Sequence, residues 1–279
     1  MTAAAPVLSS GWQARLALEF ERRPLGTVLK HIRHEGPLRV QRPFFPETGL
    51  PHVYLLHPPG GVTGSDSLDI RVYMSQGSQA LLTSPGSTKY YRSAGETAGV
   101  EQHLIVERGG SLEWLPQENI IFPGARVHSV MRISLSGDAR FMGWDMTCFG
   151  RPCNGEVFDQ GCFYGRLEVF RDQRPLLYEC QRLQDRAGLM AATGLRGFPM
   201  QAIFLATHCD TQHLEQVHEV LDAAACEHPI AATLIDDLLI VRALGHQAEG
   251  LRQQLIPLWQ TLRPLLLNRP AVVPRIWST

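Results

Sequence analysis

The sequence predicts a mainly β protein: an elongated β-helix-like or sandwich-like stack of many short strands, with a small C-terminal α/β portion that carries two helices. Three observations predict this class. Apolar residues alternate with polar ones in short runs from Trp12 to about Arg186, and glycine and proline separate these runs. Helical spacing of apolar residues first occurs after about Leu195. Alternation indicates that each strand buries one face, and it fits a β-helix and a sandwich equally well.

The β body is predicted over residues 11–195. Its first strand carries apolar side chains on one face, at Trp12, Ala14, Leu16, Leu18 and Phe20. Nine further runs of this kind follow, at residues 27–34, 52–57, 68–74, 79–83, 100–107, 111–115, 127–135, 140–149 and 162–171. Glycine-containing turns connect the runs, and we expect larger residues at Gly60 or Gly86 to disturb folding. No internal repeat of about 20 to 50 residues is visible.

A β-α-β-β-α portion packed on the β body is predicted over residues 196–279. A strand at 201–207 leads into a helix that Asp210 or Thr211 can cap. The apolar residues of this helix recur at helical spacing, at Leu214, Val217, Leu221 and Ala224. The two strands of a hairpin are then predicted at residues 231–235 and 238–244.

The last element predicted is a helix at residues 246–267. Its apolar side chains share one face, at Leu251, Leu255, Leu258, Trp259, Leu262 and Leu266. Proline lacks the backbone N–H that an inner helical turn uses, so we expect Pro257 and Pro264 to kink or split this helix.

The composition narrows the range of functions. The chain has 279 residues, 44% hydrophobic and 19% charged, so it can bury a large core. A net charge of −1 argues against a nucleic-acid partner, because binding to phosphates needs a basic surplus. No apolar stretch approaches the roughly 18 residues that span a bilayer, so we expect no membrane association. Residues 1–10 lack the basic start of a signal peptide, so we expect them to be a short disordered lead. Without an export signal, we expect a cytoplasmic protein whose cysteines are reduced.

Motifs of common enzyme classes are missing from the sequence. It contains no G-x-x-x-x-G-K-[ST], G-x-S-x-G, H-E-x-x-H or Cys-x-x-Cys, so we expect that the protein is not an enzyme. One group has the residue types of metal ligands: His208, Cys209, Asp210, His213 and His218. Because His213 and His218 point about 140° apart around a helix, packing and surface roles are the preferred interpretation of this group.

Acidic and small polar residues are frequent beside the turns of the β body: Asp66, Thr88, Glu113, Glu118, Asp145, Glu156 and Glu179. Strand alternation places Glu113 on the face opposite Trp114, and Asp145 on the face opposite Trp144. Each acid taken singly can be a solvated surface residue. Together these residues can line a polar groove or channel that holds a hard or borderline cation.

Several long strings run through the chain: GPLRVQRPFFPE at 36–47, VYLLHPPGG at 53–61, GSD at 64–66, TSPGSTKYYRS at 83–93, LEWLPQENIIF at 112–122, GRP at 150–152, GE at 155–156 and PRIW at 274–277. These strings resemble the UreD family of urease accessory proteins, called UreH in some bacteria, and they stand in family order over nearly the whole chain. Ser65 departs from the family, which usually has a second glycine there, so the turn is less permissive in backbone angle.

The resemblance implies a non-enzymatic maturation factor that binds apo-urease and, with the partners UreF and UreG, helps to deliver nickel to the urease active site. It implies a mostly β, β-helix-like stack with two helices, and no tightly bound cofactor, with nickel in transit. The family is thought to carry nickel through an internal polar tunnel, and the matching positions here are Asp66, Thr88, Asp145 and Glu179. Such oxygen ligands release nickel, whereas a fixed cage of histidine and cysteine would trap it.

The alternative hypothesis is a metal-dependent enzyme on a β scaffold. It requires Asp66, Asp145 and Glu179 to converge with a histidine on one ion that keeps an open coordination position. If these acids instead line a passage from end to end, the enzyme hypothesis fails.

Overall fold

The fold consists of nineteen strands and three α-helices within the residues that the computed structural model describes, 11–224 and 228–278. The disordered lead expected at residues 1–10 lies outside these ranges. The strands are β1 (Gln13–Arg23), β2 (Gly26–Glu35), β3 (Arg39–Val40), β4 (Phe44–Glu47), β5 (Leu50–Leu56), β6 (Ser67–Met74), β7 (Gln79–Thr83), β8 (Thr88–Tyr90), β9 (Ala98–Val106), β10 (Ser111–Leu115), β11 (Asn119–Ile121), β12 (Arg126–Leu135), β13 (Arg140–Arg151), β14 (Glu156–Val157), β15 (Gln160–Arg171), β16 (Arg174–Asp185), β17 (Met200–Thr207), β18 (Ile230–Ile235) and β19 (Leu238–Gly245). The helices are α1 (Arg186–Met190), α2 (Thr211–Ala223) and α3 (Ala248–Leu267).

Two large sheets enclose the main core. The first sheet has the order β16-β15-β12-β9-β6-β1-β2; its five middle strands run parallel, and β2 and β16 are antiparallel edge strands. The second sheet has the order β18-β19-β17-β13-β10-β7-β5-β3, with β5, β7, β10 and β13 parallel. The short strands β8 and β11 pair with each other, and β11 also pairs with β13, which forms a narrow third face.

The chain winds as stacked coils. The strands β6, β7 and β8 make one coil, and β9, β10 and β11 make the next. Equivalent residues of successive coils pair side by side, so that Ser67, Gly99, His128 and Tyr164 stand in one row across the first sheet. This arrangement resembles a β-solenoid. The prediction of a mainly β fold is confirmed, and the β-helix-like stack rather than the sandwich-like one is found.

Apolar rows fill the space between the sheets. One such row is formed by Leu18, Val72, Leu104, Ile133 and Val169, all buried, which pair in register across five parallel strands. Rows of this kind form because side chains that alternate along each strand stack coil upon coil. A second apolar core lies between the outer side of the second sheet and the helices α2 and α3.

The C-terminal elements continue the second sheet. Strand β17 pairs antiparallel with β13 of the β body, so the sheet runs across the boundary expected near residue 195. The predicted hairpin is confirmed as β18 and β19. Asp210, rather than Thr211, caps α2, because its Oδ1 accepts the backbone N–H of His213 at 3.1 Å. The expected splitting of the last helix is wrong, since α3 is continuous through Pro257 and Pro264.

A buried ionic cluster fastens α3 to the second sheet. The guanidinium of Arg263 donates to Glu113 Oε2 at 2.9 Å and to Glu47 Oε1 at 2.6 Å, and all three side chains are buried. Trp259 Nε1 also donates to Glu113 Oε2, at 2.6 Å. Glu113 does face away from Trp114, yet α3 covers it, so a solvated role for this acid is wrong.

None of the helices in the described ranges has both the length and the apolarity to cross a membrane.

Candidate functional site

Polar residues form one row inside the solenoid, on the second sheet and the third face. Thr88 of β8 pairs with Asn119 of β11, Asn119 pairs with Thr147 of β13, and Thr147 pairs with Gln201 of β17. Asp145 lies two residues before Thr147, so alternation directs its side chain to the same inner side. A polar row of this kind interrupts an otherwise apolar interior.

Two cavities lie along this row. The larger has a volume of about 1000 Å³, and its lining includes Asp145, Thr147, Glu179 and Gln201. The smaller has a volume of about 320 Å³, and its lining includes Thr88, Asn119 and again Asp145. Two residues, Gln102 and Asp145, line both cavities. We call the two cavities together the passage, and Gln102 with Asp145 the neck.

The carboxyl group of Asp145 is strongly desolvated at the neck. Burial raises its pKa to about 7, and a hydrogen bond from Asn119 Nδ2 to Asp145 Oδ1, 3.0 Å long, opposes this shift. Near neutral pH the carboxyl group of Asp145 is therefore present in both the protonated and the ionised form. An ionised Asp145 is an anionic oxygen ligand in the interior, and a protonated one is neutral.

The larger cavity lies between the two sheets and contains polar bridges. Glu179 of β16 forms a partly exposed ion pair with Arg242 of β19. Gln181 Nε2 donates to Gln201 Oε1 at 2.7 Å, which joins the first sheet to the second. Four arginines line this cavity, Arg166, Arg182, Arg196 and Arg242. Of these, Arg242 is paired with Glu179, and Arg166 is paired with the buried Glu168 at 2.8 Å.

Asp66 has a different position from the other three predicted residues. It lies in the turn before β6 and lines neither cavity. Its Oδ1 accepts the backbone N–H of Trp12 at 2.8 Å, and its Oδ2 accepts that of Thr63 at 2.7 Å. Ser65 beside it has a φ of 74°, so this turn does require the left-handed backbone that glycine favours. Burial lowers the pKa of His57, which lines the smaller cavity, and the charge of Asp66 opposes that shift.

The structure therefore places Thr88 at the smaller cavity, Glu179 at the larger cavity and Asp145 at both, and it leaves Asp66 at a turn outside them. Sequence reasoning missed Gln102, whose Oε1 is buried without a hydrogen-bond partner among the described residues. A signal was present, because Gln102 occupies an inner position between Val100 and Leu104 where alternation calls for an apolar residue.

No group of three or more His, Cys, Asp or Glu side chains within residues 11–224 and 228–278 is arranged to hold a metal ion. The His208–His218 group has local roles instead. His213 Nδ1 lies 2.6 Å from Asp210 Oδ1 in the cap of α2, and His208 Nε2 lies 3.2 Å from the carbonyl oxygen of Ala139. The acids named for the alternative enzyme hypothesis do not meet around one point, because Asp66 lines neither cavity.

Comparison with known proteins gives a consistent result over the chain. The family model described as UreD urease accessory protein matches residues 13–278. A urease accessory protein UreD of Alcanivorax borkumensis is 52% identical over 273 residues, which cover 96% of this chain and 93% of that protein. Proteins of the same name are 44% identical in Aliivibrio fischeri strain MJ11, covering 97% of this chain and 98% of theirs, and 42% identical in Citrobacter koseri, covering 100% and 95%.

Proposed function

Because the chain belongs to the UreD family of urease accessory proteins, with a role in urease maturation rather than in catalysis, we propose that it is a scaffold and a nickel conduit in assembly of the urease metallocentre. It acts on apo-urease together with UreF and UreG, in the cytoplasm. Nickel is cargo in transit in this proposal, and the protein needs no resident cofactor. The five described cysteines are free thiols, which fits a reducing compartment.

One observation carries the conduit proposal: Asp145 lines both cavities. An ion that moves from the smaller cavity to the larger one passes this carboxylate. Thr88 offers a hydroxyl oxygen on one side of the neck, and Glu179 offers a carboxylate on the other. Oxygen ligands met one after another bind a borderline ion weakly, so the ion can leave each of them.

The conduit proposal predicts that Asp145→Asn lowers nickel delivery. This substitution keeps the shape of the side chain and removes its negative charge. Co-expression with a urease operon that lacks its own UreD gene, at limiting nickel, should give urease with about tenfold less nickel and activity. The matched control is Asp69→Asn on the outer side of the first sheet, where Asp69 contacts Arg71 at 3.0 Å; this variant should behave as wild type.

Co-purification separates the two parts of the proposal. Asp145 lies inside the solenoid, so Asp145→Asn should still purify with UreF and with apo-urease. Full nickel loading by this variant would remove the conduit role. Failure of the wild-type protein to purify with UreF or apo-urease would remove the scaffold role.

A further inference from the structure

We propose that Gln102 Oε1 and the carboxylate of Asp145 together form a transient binding site for a divalent cation at the neck of the passage. This inference rests on the conduit role proposed above and names a ligand in it that sequence reasoning did not find. The site consists of one neutral and one anionic oxygen, on opposite sheets.

The position of Gln102 is unusual for a polar residue. In the first sheet it pairs with Ile70 of β6 and with Met131 of β12, and Met131 pairs with Leu167 of β15. The row on which Gln102 lies is therefore apolar on both sides, and all four side chains line the passage. An apolar residue of the same length would continue this row and pack against the same neighbours.

The hydrogen bonding of the neck leaves acceptor atoms free for an ion. Gln102 Oε1 is buried, and no described residue donates to it. An unpaired buried acceptor destabilises a fold, so its presence beside a cavity points to a ligand. Asp145 receives a hydrogen bond from Asn119 at Oδ1, and no described residue donates to Oδ2. Asn119 thereby orients the carboxylate.

The chemistry of these two oxygens suits an ion that must pass through. Amide carbonyl and carboxylate oxygens are ordinary ligands of divalent cations. Two protein ligands leave most coordination positions to water, so the ion keeps part of its hydration shell and exchanges quickly. Two arginines of the larger cavity, Arg166 and Arg242, are paired with Glu168 and Glu179, which limits their repulsion of a cation.

The test is Gln102→Met in the urease co-expression assay at limiting nickel. Methionine has a similar length and no oxygen ligand, so we expect about tenfold less nickel in urease. We also expect an unchanged or higher Tm, because the unpaired acceptor is gone. Gln102→Glu retains an oxygen and should load urease with more nickel than Gln102→Met does. Gln212→Met, on the exposed side of α2, is the matched control and should equal wild type.

Asp145→Asn in the same assay separates this inference from the conduit proposal. If Asp145→Asn lowers nickel and Gln102→Met does not, the neck site is wrong and the conduit stands. If neither variant lowers nickel, both are wrong. If Gln102→Met lowers the Tm as well, Gln102→Glu decides: partial recovery of nickel loading supports the oxygen ligand, and loading as poor as that of Gln102→Met overturns it.

Discussion

The side chain of Arg263 is a charge held entirely inside the protein. It is stable there because two carboxylates, Glu47 and Glu113, accept its hydrogen bonds. Burial favours the protonated form of Glu47, but hydrogen bonds from His52 and Arg263 outweigh this effect and lower its pKa. Glu47 is therefore ionised at neutral pH, and the three side chains depend on one another for their hydrogen bonds.

We predict that Arg263→Met lowers the free energy of unfolding by about 3–5 kcal/mol, because it leaves two buried carboxylates without their cation. Urea denaturation of the purified protein measures this difference. Arg15→Met is a suitable control, since Arg15 is exposed and its pairing with Glu35 at 3.6 Å is a surface contact. That control should change the free energy by about 1 kcal/mol or less. A similar small effect at Arg263 would contradict the role of the cluster.

Single residues also show the limit of sequence reasoning at the site. Alternation places Asp145 on the strand face opposite Trp144, but it does not tell which of the two faces lies inside: Trp114 belongs to the core between the sheets, whereas Trp144 packs in the core beneath the helices. The burial of Glu113 could not be predicted, since it depends on Arg263, which is 150 positions away along the chain. The neck could not be predicted either, because it depends on Gln102 and Asp145 being brought together from two different sheets.

Strand β13 packs closely against its neighbour β10 at Gly143. This residue pairs with Trp114 of β10, and a Cβ atom at Gly143 would lie 2.3 Å from the backbone oxygen of Trp114. By contrast, no atom lies within 4 Å of a Cβ at Gly86. At Gly60 the nearest atom is Tyr91 Oη, at 3.7 Å. The expectation that larger residues at Gly60 and Gly86 disturb folding is therefore not supported by their surroundings.

We predict that Gly143→Ala destabilises the protein by about 1–3 kcal/mol, because the added methyl group must displace the backbone of β10. Gly86→Ala should be neutral or stabilise by about 0.4–1 kcal/mol, since it restricts the unfolded chain without a clash. Thermal unfolding of both variants measures the contrast. Equal stability of the two alanine variants would show that the close approach at Gly143 relaxes freely.

The elements that could be predicted are those long enough to show a period. The hairpin of β18 and β19 and the helices α2 and α3 were found near their predicted bounds. The strands β8 and β11 have three residues each, which is too short for a visible alternation. They nevertheless carry Thr88 and Asn119 to the smaller cavity, so strand alternation gave no signal for this part of the site.

At the scale of the whole molecule, the coils repeat in space although no repeat is visible in the sequence. A row across the first sheet forms wherever apolar side chains occupy matching positions of neighbouring strands. Different apolar residues can therefore occupy equivalent positions in successive coils, and the sequence shows no repeat. A sandwich would produce the same alternation along each strand. Sequence patterns therefore predicted the strands and their buried faces, and left the choice between sandwich and β-helix open.

The stability of the whole protein should depend on pH through Asp145. Its pKa is about 7 in the folded protein, against an ordinary value of 3.8, so the folded state holds a proton that the unfolded chain releases. The stability that this proton contributes is present below about pH 4 and is lost as the pH rises through 7. Comparison of wild type with Asp145→Asn isolates the effect from that of other acids.

Denaturant titrations between pH 4 and pH 8 measure it. The free energy of unfolding of wild type, relative to Asp145→Asn, should fall over this range and level off above pH 7. A difference between the two proteins that is constant with pH would mean that the carboxyl group at the neck titrates normally.

The antiparallel strands at the ends of the first sheet have a consequence for polymerisation. In a stack of parallel coils, a bare terminal coil would offer the same hydrogen-bonding pattern as the coil beneath it, and a second molecule could continue the stack as a filament. Strands β2 and β16 reverse the direction at both ends. The exposed Lys30 and Arg33 on β2, and Pro175 on β16, further discourage edge-to-edge addition. Neither edge of the first sheet therefore offers the parallel strand on which a further coil would continue the stack.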